Sequence, residues 1–284
     1  MIKLKDILKE AKLYSFTIEE VLEQFLKFDG KTIVLFDTET VGLEPNTSYI
    51  QITQIAGMAF GGSTMQLLGE YSKKVNIGSA LNNALNDPNS PEAKHLGKEM
   101  ARREKKYGKP DLHPRDALKM TGYESGNSEK VDEKQALIEF EQFINQYPDV
   151  TLVAHNATFD MKTIQTRRRM YGLPPMKRVP VLDTVQISRF FFIPALQAAE
   201  SNPEAAEMLK GLLAKTKYKS YSSALGKLAS IFNIKIDGWH DAREDIMMLF
   251  QILKNFISYL EKNKGLDIRK GQGTAAKRFR NAKF

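Results

Sequence analysis

A chain of 284 residues, 42% hydrophobic and 27% charged, can bury a sizeable core as one large domain or two small ones. It has no cysteine, which excludes disulfides, thiolate metal sites and cysteine nucleophiles. Residues 1–13 carry Lys3, Lys5, Asp6, Lys9, Glu10 and Lys12, which excludes a signal-peptide apolar region there, and no apolar run is long enough to span a bilayer.

The net charge of +8 is concentrated at one end. From Lys262 onward eight basic residues face one acid, Asp267, giving +7 and leaving about +1 for the rest. A near-neutral body with a basic tail over 262–284 is expected to meet a polyanion through that tail. The alternative is a solvated terminus. The absence of cysteine fits a reducing compartment, so the expected location is cytoplasmic, or host-cytoplasmic for a phage protein, without membrane contact.

Residues 3–13 alternate Leu/Ile with Lys/Glu at helical spacing. Thr17-Ile18-Glu19-Glu20 has the form of a capping box and opens a second helix with Val21, Leu22, Phe25 and Leu26 on one face. Residues 1–30 are therefore expected as an N-terminal helical extension, packed on the main domain or offered to a partner. Lys31-Thr32-Ile33-Val34-Leu35 reads as a buried strand running into Phe36-Asp37-Thr38-Glu39-Thr40. Tyr49 to Ile55 alternates, Gly57 to Phe60 continues it, and Met65 to Val75 follows the turn at Gly61-Gly62-Ser63. Connections this short make an antiparallel meander.

Residues 82–128 are polar, are broken by Asn86-Asp87-Pro88-Asn89-Ser90-Pro91, and read as an insertion with a charged helix from Glu92 to Lys106. An amphipathic helix over Lys134 to Tyr147 then precedes a short buried strand at Thr151 to Ala154. A helix to about Tyr171 and a strand at Val179 to Leu182 imply parallel crossovers added to the meander. Arg167-Arg168-Arg169, late in that helix, can hold phosphate or form a solvated face. A lysine-bearing stretch over 195–219 reads as a second insertion. Helices over Ser223 to Phe232 and Asp241 to Leu260 end the body, the latter with Met247, Met248, Phe250, Leu253 and Ile257 available to a core.

The chemistry-bearing residues lie at the ends of these elements. Asp37 and Glu39 are two apart on a strand, so both face one way. At roughly 5 Å and an effective dielectric of about 20 they repel by about 3 kcal/mol. A cation or a proton relieves this; a solvated strand end is the plain alternative. Asp160 follows a strand end early in a helix. Asp241-Ala242-Arg243-Glu244 has capping-box form with Asp241 as N-cap, which lets His240 fold back beside Asp245.

The combination of Asp37-Thr38-Glu39, His155-Asn156-Ala157-Thr158-Phe159-Asp160 and His240-Asp241-Ala242-Arg243-Glu244-Asp245 resembles the DEDDh group of DnaQ-like 3′–5′ exonucleases. The resemblance covers roughly 31–261. Thr40-Val41-Gly42-Leu43, Asp183-Thr184 and Leu225-Gly226-Lys227-Leu228 add to it. The sister group has Tyr four residues before the last Asp; Asp241 stands there, so the His type is implied.

The resemblance implies an α/β ribonuclease-H-like fold: a mixed sheet of antiparallel meander plus parallel strands, flanked by helices. It implies two divalent cations, Mg²⁺ or Mn²⁺, held by Asp37, Glu39, Asp160 and Asp245, with His240 taking a proton from the attacking water. Thr40, Leu43, His155, Asn156 and Phe159 would meet substrate, and Trp239 would stack on a base. Core packing is the alternative for Phe159 and Trp239. The expected activity is 3′–5′ hydrolysis of single-stranded DNA to nucleoside 5′-monophosphates. The alternatives are an exoribonuclease of the ribonuclease T or oligoribonuclease kind, a proofreading subunit beside a DNA polymerase, and a non-catalytic nucleic-acid scaffold.

Overall fold

The computed structural model describes residues 17–42, 50–108, 112–123, 129–200, 222–235 and 240–269. The expectations placed on Leu43, Trp239, residues 1–16, most of 195–219 and the tail beyond 269 lie outside these residues. In chain order the described elements are α1 (Ile18–Phe25), β1 (Thr32–Thr40), β2 (Ile52–Gly61), β3 (Leu67–Val75), α2 (Ser79–Asn86), α3 (Pro91–Tyr107) and α4 (Pro114–Met120). They continue with β4 (Lys130–Val131), α5 (Glu133–Asn145), β5 (Val150–Ala154), α6 (Ala157–Met170), β6 (Val181–Asp183) and α7 (Thr184–Ile187). A π-helical turn at Ser188–Phe192 leads into α8 (Ile193–Glu200), and α9 (Leu225–Ile231) and α10 (Ala242–Lys262) close the body. Among the described residues no helix is long and apolar enough to cross a membrane.

The chain divides into two compact units: Lys31–Val181 with Asp237–Met247, and Met1–Gly30 with Leu182–Ile236 and Met248–Phe284.

The first unit is built on sheet strands in the order β4-β3-β2-β1-β5. β1 pairs antiparallel with β2 and parallel with β5, from Thr32↔Val150 to Leu35↔Val153. This is the antiparallel meander with parallel additions expected of a ribonuclease-H-like sheet, with β4 as an extra short edge. Ile33, Val34, Leu35 and Phe36 are all fully buried, as a central strand covered on both faces requires. α5 lies close on the meander because Gly57 leaves room: a Cβ there would meet Phe140 at 3.0 Å and Phe143 at 3.1 Å. Phe36 and Tyr71 close on Phe140 at ring-centroid distances of 6.0 and 5.9 Å.

Arg167 and Arg168 form no solvated face, being 4% and 1% exposed, whereas Arg169 is exposed as that expectation had it. Arg167 forks onto Glu133 (Nε to Oε1 2.8 Å, Nη2 to Oε2 2.5 Å), and Glu133 also accepts from Ile52 N–H at 3.0 Å and Tyr171 O–H at 2.8 Å. Arg168 pairs with Glu141 at 2.6 Å and donates to the carbonyls of Leu137 and Pro174. A buried charge needs a partner, and each of these has one from an element brought in by the fold.

Helices α2 to α4 form the insertion, with a small core of their own. Leu81 and Leu118 pack with Val41, flanked by Ile77, Leu85 and Tyr123. Ile77 N–H donates to Tyr123 Oη at 3.0 Å, and Gly78 N–H to Gln51 Oε1 at 2.6 Å. The insertion is thus seated on the turn that leaves β1.

In the second unit α1 begins with the expected capping box: Glu20 N–H donates to Thr17 Oγ1, and Thr17 N–H to Glu20 Oε2. Phe25 stacks on Phe191 at 5.8 Å, and Phe192 collects Phe232, Phe256 and Tyr259 within 5.4 Å.

Candidate active site

All five acidic and histidine positions singled out by sequence fall in the first unit. Asp37 and Glu39 leave the same face of β1, and Asp245 arrives from the start of α10. One carboxylate oxygen from each lies within 4.8 Å of the others. Among the described residues these three form the group whose spacing suits a shared ion. A donor set made only of carboxylate oxygens is that of a hard divalent cation, not of zinc on nitrogen and sulfur. The β1–β2 ladder slips directly after Glu39: Glu39 faces Gln54 and Thr40 faces Ile52, leaving Thr53 as an extra residue. Bulges of this kind re-aim side chains beside sites.

Asp160 reaches β1 from the first turns of α6. The parallel ladder with β5 ends at Leu35, so Thr38 lies beyond its strand pairing on that side. The Oδ1 of Asp160 supplies the acceptor, taking Thr38 N–H at 3.1 Å and Thr38 Oγ1–H at 2.7 Å. Asp160 is 3% exposed. An acid this early in a helix is favoured by the positive end of the helix dipole.

The start of α10 is held from the sheet. Asp241 is its N-cap: Oδ1 accepts from Arg243 N–H at 3.0 Å and Glu244 N–H at 3.4 Å. Asp245 N–H donates to the Asp241 carbonyl at 2.9 Å, closing the first turn. Gln54 of β2 grips the same point, its Oε1 accepting from Ala242 N–H at 3.2 Å and its Nε2 donating to Asp241 Oδ1 at 3.3 Å. Arg243 pairs with Glu70 of β3 at 2.5 Å. His240 precedes the N-cap with a left-handed φ of 65° and is half-buried.

Crowding these acids has an electrostatic consequence. Burial, then Asp160, Glu39, Asp245 and Asp241, hold the Asp37 carboxyl well above the ordinary carboxylate range. Burial, then Asp245, Asp160 and Asp241, push Glu39 up to about 8. Burial, then Asp241 and Glu244, raise Asp245 to about 6. Charge that a protein keeps this concentrated attracts either protons or metal ions, and the donor set fits the ions.

No protein-family model matches the chain. The chain is similar to DNA polymerase III of the PolC type. It is 25% identical over 241 residues to the protein of Streptococcus sanguinis, covering 85% of this chain and 12% of that one. Against the Ureaplasma parvum protein it is 27% identical over 186 residues, covering 62% and 10%. A 59-residue stretch is 44% identical to the Halalkalibacterium halodurans protein, covering 21% of this chain and 4% of that one. The chain therefore spans about a tenth of the length of these curated relatives. Among solved structures, E. coli exonuclease I in complex with a dT13 oligonucleotide superposes at a TM-score of 0.49 and 13% identity, covering 82% of this chain and 41% of that one. Cell-death related nuclease 4 superposes at 0.46 and 15%, covering 82% and 64%. TM-scores below 0.5 leave the functional argument to the residues.

The substrate-side expectations that fall on described residues stand as follows. Thr40 Oγ1 donates to the Gly42 carbonyl at 2.6 Å, so its hydroxyl shapes the turn after β1. His155 and Phe159 are partly buried, and Asn156 is exposed with a left-handed φ of 72° at the N-cap of α6.

Sequence reasoning passed over Thr38 and Gln54. Thr38 sat unremarked between two acids. Gln54 carried no local signal either, because the bulge at Thr53 turns it to the face of Glu39, opposite that of Ile52. It is 5% exposed, and a buried polar group must find partners.

Proposed function

We propose that this chain is a DEDDh-type 3′–5′ exonuclease acting on single-stranded DNA with two divalent cations, Mg²⁺ or Mn²⁺. The observation that carries this reading is the convergence of Asp37, Glu39 and Asp245 within 4.8 Å, with Asp160 tied to the residue between the first two. Asp37, Glu39 and Asp245 would hold one cation, and Asp37 with Asp160 the second. Bound divalent cations supply Lewis-acid stabilisation of the attacking and leaving oxygens of a phosphodiester. His240 would take the proton of the attacking water as a general base. The water oxygen bonds to phosphorus, the P–O3′ bond breaks, and the 3′ oxygen leaves, taking a proton from solvent water. The products are a nucleoside 5′-monophosphate and a strand one unit shorter with a free 3′-hydroxyl.

Thr40, Leu43, His155, Asn156, Phe159 and Trp239 are proposed to hold the terminal nucleotides, Leu43 by packing against a base and Trp239 by stacking on one. The boundaries proposed for the catalytic body are 31–261, between the extension 1–30 and the tail 262–284. The DNA preference over RNA draws on similarity to DNA polymerase III proteins. The same similarity favours a second reading, a proofreading exonuclease working beside a polymerase.

Digestion of 3′- and 5′-labelled single strands, DNA and RNA, with and without Mg²⁺ tests the reading. Stepwise loss from the 3′ end that needs metal and disappears in Asp37→Ala and Asp160→Ala is expected. Cleavage surviving in the purified double variant overturns it. Faster RNA digestion would move the substrate to RNA.

A further inference from the structure

One buried group beside the carboxylates has no chemical role of its own. Gln54 carries no charge and lies within β2, opposite Glu39. Its amide serves mainly the start of α10: Oε1 accepts Ala242 N–H at 3.2 Å, and Nε2 donates to Asp241 Oδ1 at 3.3 Å, with Ser72 Oγ of β3 at 3.5 Å as a weaker partner. Only one orientation of the amide satisfies both partners, because a backbone N–H needs an oxygen and a carboxylate needs a donor. The Ala242 N–H is one of the donors a helix start leaves without an intrahelical acceptor. Gln54 therefore fixes the axial position of the first turn of α10 against the strand that faces β1.

Two residues of the site flank the gripped segment. His240 precedes the N-cap, and Asp245 follows one turn later through its N–H bond to the Asp241 carbonyl at 2.9 Å. A shift of α10 along its axis by one residue moves Asp245 by about 1.5 Å. That is large beside a metal–oxygen bond whose length is defined to a few tenths of an ångström. Glu39 and Gln54 share a register pair, so the same rung of the sheet carries one member of the cluster and holds the helix that delivers another.

We propose that Gln54 is a positioning residue that sets Asp245, and with it His240, against Asp37 and Glu39. It touches no reacting atom and acts through the N-cap of α10. The metal-binding arm of this inference stands without the nuclease reading; the turnover arm rests on it.

The test compares wild type, Gln54→Met and the exchange variant carrying both Gln54→Glu and Asp241→Asn. Methionine keeps length and volume but offers neither hydrogen bond. The exchange keeps the local charge and restores the pair with donor and acceptor reversed, and Asn caps a helix as well as Asp does. Mn²⁺ affinity is measured by calorimetry well below each variant's melting temperature. Turnover is measured on a 3′-labelled single-stranded oligonucleotide.

Gln54→Met is expected to weaken Mn²⁺ binding about 10- to 100-fold, the usual effect of removing a group that orients a ligand. It should lower kcat more than it raises KM, and the exchange variant should recover most of both. A folded Gln54→Met with wild-type Mn²⁺ affinity, or an exchange variant no better than Gln54→Met, overturns the proposal. A wild type that binds no Mn²⁺ overturns it as well. Wild-type Mn²⁺ binding without strand cleavage, with the affinity pattern intact, upholds the positioning role and sinks the nuclease reading alone.

Discussion

The Oδ1 of Asp160 takes two hydrogen bonds from Thr38, one from its N–H at 3.1 Å and one from its hydroxyl at 2.7 Å. Residues 122 positions apart in sequence thereby share one buried junction. The acid continues the edge of β1 where the pairing with β5 has ended, and it is held in place by the residue between Asp37 and Glu39. Thr38→Val keeps the shape and removes the shorter bond. Taking a donor from a buried carboxyl oxygen costs about 1–3 kcal/mol, so a loss of unfolding free energy of that size is expected by chemical denaturation. A fall in 3′–5′ turnover should accompany it. Unchanged turnover would show that Asp160 does not need this orientation.

Repulsion within the cluster makes stability depend on pH. Glu39 and Asp245 have folded values of about 8 and about 6, above the ordinary carboxylate value near 4. A raised folded value means that the folded state binds protons more tightly than the unfolded one. That contribution is fully present below about pH 4 and is lost as the pH rises through about 6 and then about 8. Glu39→Gln in metal-free buffer should therefore match wild type near about pH 4.5 and melt progressively higher than wild type toward about pH 8.5. A gain of 1 kcal/mol corresponds to about 2–4 °C in a body of this size. Thermal scans across that pH range check it; a gap that does not widen contradicts the assigned repulsion.

Divalent cation should reverse the same penalty. Mg²⁺ or Mn²⁺ at about 100 times its dissociation constant adds about 2.7 kcal/mol to the folded state. The rise in melting temperature should be larger at about pH 8 than at about pH 5, because the ion competes with protons for the carboxylates. Asp37→Asn should abolish most of the rise. Equal shifts in both proteins would place the ion elsewhere.

The Arg167–Glu133 pair is structural and buried, at 2.5 Å with both side chains nearly inaccessible. Arg167→Met leaves Glu133 buried and short of a counter-charge. A loss of about 3–5 kcal/mol is expected by chemical denaturation, with Mn²⁺ affinity retained in the folded fraction. A loss of affinity for single-stranded DNA without a loss of stability would return Arg167 to the phosphate role that its burial denies it.

The basic tail is expected to tether substrate electrostatically. Truncation belongs after Arg269, since Asn263 and Ile268 are buried. The cut removes Lys270, Lys277, Arg278, Arg280 and Lys283. The slope of log affinity for single strands against log salt should flatten by about 0.7 for each phosphate that the shortened chain no longer neutralises. An unchanged slope would show that the tail meets none.

Most elements of this protein were readable because they follow local rules. The apolar run 33–36 made a strand, the Thr17 capping box opened a helix, and Asp241 capped another, all from spacing and side-chain chemistry within a few residues. The acids were legible as candidates for the same reason: Asp37 and Glu39 are two apart on a strand, and strand geometry alone puts them together. What spacing could not supply was the partner of each buried polar group. Arg167 and Arg168 look like surface charge in sequence, and only the approach of α5 gives them Glu133 and Glu141. Thr38 and Gln54 are ordinary strand residues until α6 and α10 arrive. Residue order was enough to tell which side chains carry charge and which strand ends present them. Which of them meet was settled by the folded packing, because hydrogen bonds between segments more than a hundred residues apart depend on an approach of elements that no local pattern encodes.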